Sequence, residues 1–246
     1  NLSFADLMAS DLTEIKSMAG SDLSNTSFLL ANLSGVNLTD VILEGTNFWK
    51  TDLSGVDFTV TSKASYHGTL FREANLSNSN FEGVTLSPAQ VFTHNFENAR
   101  DKIGGETYHP LELMIKLYGR GYVEDVGYIG LNNIHIISTE QPENALVVKF
   151  VFFNNFYNAN LENANFQNAG LWHVGFASAN LTNADLSGAD LSKALLNNAN
   201  LSNANLQGAD LSGADLSGAD LSGADLSGAI YDQNSILKCV NHDICI

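Results

Sequence analysis

From Phe156 to Leu226 every fifth residue is large and apolar: Phe156, Leu161, Phe166, Leu171, Phe176 and onward, fifteen centres in succession. Ala stands two positions before most centres, as at Ala159, Ala164 and Ala184, with Asn or Asp between. Ser usually follows the centre, then Gly or Asn, and residues 209–228 read ADLSG four times over. A period of five fits neither common template. A helix repeats at 3.6 residues and a strand alternates at 2. On a helix, every-fifth residues step around the surface by about 140° and bury no continuous stripe. The pattern suits a chain that turns a corner every five residues. Gly and Asn tolerate positive φ at the corner, and Ala and Leu/Phe, two apart, share one side of an extended segment. Four such segments close a square coil, and coils stack at the inter-strand spacing of about 4.8 Å. One unit cannot bury its apolar side alone, whereas a stack can.

The unit Ala-Asp/Asn-Leu-x-x resembles the pentapeptide-repeat family. Departures within the regular block are few: Val174 replaces Ala and Leu195 replaces Asp/Asn. The resemblance implies an all-β fold, a right-handed quadrilateral β-helix with about twenty residues per coil. Tyr231-Asp232-Gln233-Asn234 is similar to the stretch that ends the helix in many members of the family.

In chain order, residues 1–96 read as N-terminal coils, with register breaks near 13–22 and 59–70. One residue is extra between Leu12 and Leu23, where 14–19 is expected to bulge or form a short helical turn. Phe28 and Phe48 lie twenty apart, as do Phe156 and Phe176, so each pair is expected to stack on one face. Lys63, Tyr66 and His67 fall on an expected outward loop. Repeats are expected to resume at Phe71 and run through Val91 to Phe96. Residues 97–150 carry no repeat and read as an insertion of mixed helix and strand. His109-Pro110 before LELMIKLYG suggests a short helix, with Pro in the first turn and Gly119 as terminator. Residues 122–129, 134–137 and 145–153 look strand-like. Phe96 and Phe156 differ by sixty, so either the insertion winds degenerate coils or it projects from the stack; projection is favoured. Residues 151–231 form the C-terminal coils and 232–246 a cap, the whole being one solenoid domain.

The formal net charge is -16 over 246 residues. That excludes ordinary phosphate-directed nucleic-acid binding, which uses Lys and Arg, and allows a basic partner. No apolar run reaches the length that spans a bilayer. The spacing of Cys239 and Cys245 allows a disulfide across a terminal turn, pointing to an oxidising compartment; two reduced thiols in a cytoplasmic protein are the other reading. The numbered chain opens at Asn1 in repeat-like sequence, consistent with removal of a leader or with trimming from a longer chain. Together these favour an extracytoplasmic location, periplasm or thylakoid lumen.

Catalysis needs converging groups of different kinds. The repeat offers identical Asp and Asn side chains, read as a solvated face that also bonds nearby backbone. The six His are scattered, so no metal site, no cofactor and no catalytic residue is expected. Trp49 and Trp172 each follow a centre and so face outward; with Tyr66 and His67 they are the candidate partner contacts. Alternatively, each Trp is covered by the insertion or by the loop at 59–69. The expected function is a non-enzymatic scaffold for protein–protein interaction with an unidentified protein partner. The alternative is an acidic DNA mimic that binds or protects a type II topoisomerase, as the quinolone-resistance class of the family implies.

Overall fold

The computed structural model describes residues 1–59, 68–86 and 154–245, together with the backbone of five strands between 92 and 152. The repeat residues form four ladders of parallel bridges. Ladder 1 runs Asp6, Ser27, Asn47, Leu70, Asn155, Gly175, Leu195, Asp215, Ile236. Ladder 2 runs from Asp11 through Asn32, Asp52, Asn75 and Asn160 to Asp220 and Val240. Ladder 3 holds Ser17 and Asn37, then Asp57, Asn80, Asn165, Asp185, Asn205 and Asp225. Ladder 4 holds Asp22 and Ile42, then Thr85, Gly170, Asp190, Asp210 and Ile230. Successive ladders are five residues apart along the regular chain, so each coil has four sides.

The five-residue unit repeats one set of backbone bonds. Asn180 donates its N–H back to Ala159 of the preceding coil (2.9 Å), Leu181 donates forward to Asn200 (2.7 Å), and Asn183 donates to Ser202 (2.9 Å). Ala184 closes the corner onto Leu181 (3.0 Å). The corner residue is left-handed, as Asn183 (φ 57°) and Gly188 (φ 65°) show. Leu and Phe centres and the small residues before them fill the interior. Where Thr replaces inward Ala, its hydroxyl bonds a carbonyl one coil back: Thr46 to Leu23 (2.8 Å) and Thr51 to Phe28 (2.6 Å).

The expected stacking of Phe28 on Phe48 (5.1 Å) and Phe156 on Phe176 (5.0 Å) is present. Phe48–Phe71 (5.3 Å) and Phe71–Phe156 (4.7 Å) join them into one column, and Phe58, Phe81 and Phe166 make a second. The two columns meet edge to face. Aromatic packing therefore runs unbroken past both interruptions.

Of the two readings of residues 14–19 the bulge is the one observed: Asp11 pairs 21 residues ahead with Asn32 and Ser17 pairs 20 ahead with Asn37, so the corner widens by one residue. One boundary is corrected. The N-terminal coils stop at Leu86, not at 96. Thr85 pairs directly with Gly170, 85 residues ahead, and Phe92–Glu97 is an antiparallel strand. Its five-residue spacing belongs to no coil: residues 92–97 pair antiparallel with 145–150, and in the sequence His94 stands two before Phe96 where the unit has a small residue. The equal phase of Phe96 and Phe156 has no structural meaning, since Asn75 pairs with Asn160 and no coil intervenes.

Within 87–153, strands β1 (Phe92–Glu97), β4 (Ile134–Glu140) and β5 (Ala145–Phe152) form an antiparallel sheet ordered β1-β5-β4. Strands β2 (Tyr122–Val123) and β3 (Gly127–Tyr128) form a small antiparallel pair. The helix expected after His109-Pro110 lies outside the described residues.

The two ends of the insertion meet. The Asn154 side chain donates to the Leu86 carbonyl (2.5 Å) and accepts from the Thr69 N–H (2.9 Å). One buried amide thus supplies the bonds that continuous chain would have made. At the C-terminus the disulfide Cys239–Cys245 is formed, and Ile244 and Cys245 pack on the core.

Candidate interaction surface

Outward Asp and Asn accept from the backbone N–H two residues on, as Asp190 does from Ser192 (3.0 Å) and Asn200 from Ser202 (3.0 Å). The neighbouring hydroxyls hold several carboxyls below their ordinary value: Thr13 acts on Asp11, Ser222 with Asn241 on Asp220, and Ser227 on Asp225. Amides link the coils, with Asn180 bonding Asn160 (3.0 Å) and Asn205 bonding Asp185 (3.1 Å). These carboxylates are occupied in holding corners. Among the described residues no group of three or more His, Cys, Asp or Glu is placed to hold a metal ion.

Among the described residues the outward Trp rings and the cations over them lie on two adjacent faces. On the ladder 1 face, Trp49 follows Phe48 and is exposed, as expected. Arg72 lies over the rings of both Trp49 (5.5 Å) and Tyr157 (4.9 Å), and Lys50 lies over Trp49 (5.6 Å). Glu73 pairs with Lys50 (3.5 Å) and Arg72 (3.3 Å). Desolvation opposes its charge, yet Lys50 and hydrogen bonds from Arg72 and Trp49 leave its carboxyl below the ordinary value. On the ladder 4 face, Trp172 is half-buried, meets the His173 ring at 4.4 Å and lies under Lys193 (5.8 Å).

Trp49 and Trp172 therefore stand on different faces, each among its own cations. Tyr66 and His67 lie outside the described residues. Sequence reasoning missed Lys50, Arg72, Glu73, Tyr157 and Lys193. Lys193 lies 21 residues past Trp172, close to one coil, and was findable. Arg72 and Tyr157 are 85 apart and become neighbours only once the length of the insertion is known.

Both interruptions begin beside the ladder 4 face. The first follows Thr59 and ends by Leu70 of ladder 1; the second follows Leu86 and returns at Asn154–Asn155. Trp172 sits one coil from the exit, because the Leu86 N–H donates to Gly170. Tyr157 sits just past the return.

A sequence model described as pentapeptide repeats matches residues 21–59, 62–87, 155–192 and 194–230 in eight copies, more than half of the chain. The chain belongs to the pentapeptide-repeat family. The matched ranges resume at 155, where the ladders do. Among solved pentapeptide-repeat structures, a protein from the Arabidopsis thaliana thylakoid lumen is 41% identical over 30% of this chain and 52% of its own length, with a TM-score of 0.30. The chain thus spans about half of that relative. HetL, involved in heterocyst differentiation regulation in the cyanobacterium Nostoc sp. strain PCC 7120, is 21% identical over 100% of this chain and 93% of its own (TM-score 0.30). QnrB1, a plasmid-mediated fluoroquinolone resistance protein, is 14% identical over 93% of this chain and 90% of its own (TM-score 0.39). No curated protein matches the chain. No described helix is long and apolar enough to cross a membrane.

Proposed function

We infer that this pentapeptide-repeat protein is a non-enzymatic scaffold that binds another protein, and that its coils wind as the right-handed quadrilateral β-helix the family implies. The carrying observation is that, among the described residues, the outward Trp and Tyr rings with cations over them lie on the two faces beside which both interruptions begin. Exposed aromatic side chains with cations are common energetic centres of protein contacts. Trp172, beside the exit of the insertion, is assigned to the partner together with residues 87–153. Tyr66 and His67 belong to the same assignment through their place in the first interruption. The test is affinity capture with the intact chain beside a chain in which Leu86 is joined directly to Asn154. Partners retained by the first and lost by the second support the reading; an identical partner set for both refutes it.

The second reading is an acidic DNA mimic that engages a type II topoisomerase. It is favoured by the net charge of -16 and by the Asx-rich rungs of ladders 2 and 3. A gyrase supercoiling assay at micromolar protein decides it: inhibition or relief from a quinolone supports it, and neither effect removes it. An extracytoplasmic location is proposed from the disulfide, with thiol counting as its check.

A further inference from the structure

Two residues before each centre the chain points inward. Among the described units from Thr26 onward that position holds Ala, Val, Thr, Ser or Cys, with Asn154 the exception. Its N–H ordinarily closes the corner onto the centre of the preceding side, as Thr26 does onto Leu23 (3.0 Å) and Thr46 onto Leu43 (3.0 Å). An amide buried in an apolar stack is costly unless its polar atoms are satisfied. Asn154 is only 1% exposed, so the coil alone gives no reason for it.

The two interruptions give the reason, because each displaces one partner of a corner bond. Nine residues, 60–68, stand between Thr59 and Thr69, where six, 40–45, stand between Thr39 and Thr46. Among the described residues ladder 4 has no rung between Ile42 and Thr85, so the centre whose carbonyl would take the Thr69 N–H is not there. The second interruption begins after Leu86, a centre whose carbonyl a regular coil gives to the next inward N–H. The Asn154 side chain replaces both. Its Oδ1 accepts from the Thr69 N–H (2.9 Å) and its Nδ2 donates to the Leu86 carbonyl (2.5 Å). An amide offers an acceptor and a donor on one planar group. Ala or Val at this position would leave the N–H of buried Thr69 without that acceptor.

The segments that the amide joins also carry the outward rings and cations. Arg72 stands three residues past Thr69 and Tyr157 three past Asn154. Arg72 lies over Trp49 (5.5 Å) on one side and Tyr157 (4.9 Å) on the other. Beside the amide the backbone join is long: Asn155 donates to Thr69 at 3.3 Å, whereas Asn160 donates to Ala74 at 2.9 Å on the next side. We propose that Asn154 is the positioning residue of this surface. It ties the return of the first interruption to both ends of the second, and so sets Arg72 between the two rings. The proposal rests on the scaffold reading for what the surface does, and it makes the two interruptions one unit. A partner that requires residues 87–153 therefore also requires Asn154.

Hydrogen exchange and the Trp49 indole N–H resonance test this on the full chain, on Asn154→Ala, on a chain with 60–68 replaced by a copy of 40–45, and on both changes together. Ala is the commonest inward residue of the unit, so Asn154→Ala is expected to keep the coils. In the full chain it should speed exchange at the Thr69 N–H by about tenfold or more, move the Trp49 resonance and leave the Thr46 N–H unchanged. With 60–68 replaced, Thr69 regains a backbone carbonyl, and Asn154→Ala should alter its exchange by less than about twofold. Unchanged Thr69 exchange or an unmoved Trp49 resonance in Asn154→Ala overturns the proposal. So does equal acceleration with and without the replacement. Loss of the coils in Asn154→Ala, read by circular dichroism, overturns it too, since the residue would then hold the stack and not the surface. The comparison of the full chain with Asn154→Ala decides by itself where the replaced chain does not fold. No partner enters these measurements, whereas the scaffold reading is tested by partner capture without residues 87–153, so the two fail separately.

Discussion

Ser79 occupies an inward position that the repeat gives to Ala, and among the described residues its buried hydroxyl has no hydrogen-bond partner. The inward Thr residues escape this cost by bonding a carbonyl one coil back. Ser79→Ala is therefore expected to stabilise the protein by about 1–2 kcal/mol in denaturant unfolding. At several corners a Gly lies over an Asn of the preceding coil, and the close approach restricts it. A Cβ on Gly218 would lie 2.5 Å from the Asn198 Oδ1, whereas one on Gly208 meets nothing within 4 Å. Both glycines are left-handed (φ 70° and 69°). Gly208→Ala should cost about 1 kcal/mol, and Gly218→Ala measurably more, because the Asn198 side chain must also move. The carboxylates set an acid limit. Asp11, Asp220 and Asp225 are lowered from 3.8, so the folded chain binds protons less readily than the unfolded one. Their contribution is complete above the unfolded value and is lost as pH falls through the folded ones. The melting temperature should be insensitive to these groups from about pH 7 to 5 and fall below about pH 4. The corner rule was legible in the sequence as a preference for Gly or Asn; how closely a corner Gly is packed depends on the coil beneath.

At the scale of elements, the regular coils were legible because the five-residue unit states its own corner, centre and inward position. The insertion was not. Val91 and Phe96 keep the five-residue beat by chance, and apolar spacing alone cannot tell a degenerate unit from strand β1. The Leu86–Asn154 contact makes residues 87–153 separable. The joined chain should fold, with the far-UV spectrum of the coils and unfolding at least as cooperative as in the full protein. The C-terminal cap rests partly on its cross-link. Closing so short a loop contributes about 2 kcal/mol in the chain-entropy view, so Cys245→Ser should loosen residues 237–245 first. Hydrogen exchange should show lost protection at Val240, whose N–H bonds Ala219 (2.8 Å), with Leu181 unaffected.

The whole molecule is one stack because the two phenylalanine columns and ladders 1 to 3 continue across 60–67, and both columns and all four ladders continue across 87–153. Its described surface is two-sided: the rungs of ladders 2 and 3 are Asp, Asn or Ser up to Val240, whereas the outward Trp rings with cations over them lie on ladders 1 and 4. That division could not be read from spacing, since the lengths of the interruptions decide which outward residues become neighbours. Direct stacking of the coils on either side of residues 87–153 is the claim on which the rest depends. Asn163 donates to Asn78 at 3.3 Å across that junction, and Asn183 to Asn163 at 3.2 Å within the regular block. Two double variants, Asn78→Cys with Asn163→Cys and Asn163→Cys with Asn183→Cys, measure the junction against its own control under mild oxidation. Both are expected to cross-link within one chain, to similar extents. Cross-linking between positions 163 and 183 but not between 78 and 163 would show that coils or other structure separate the two halves.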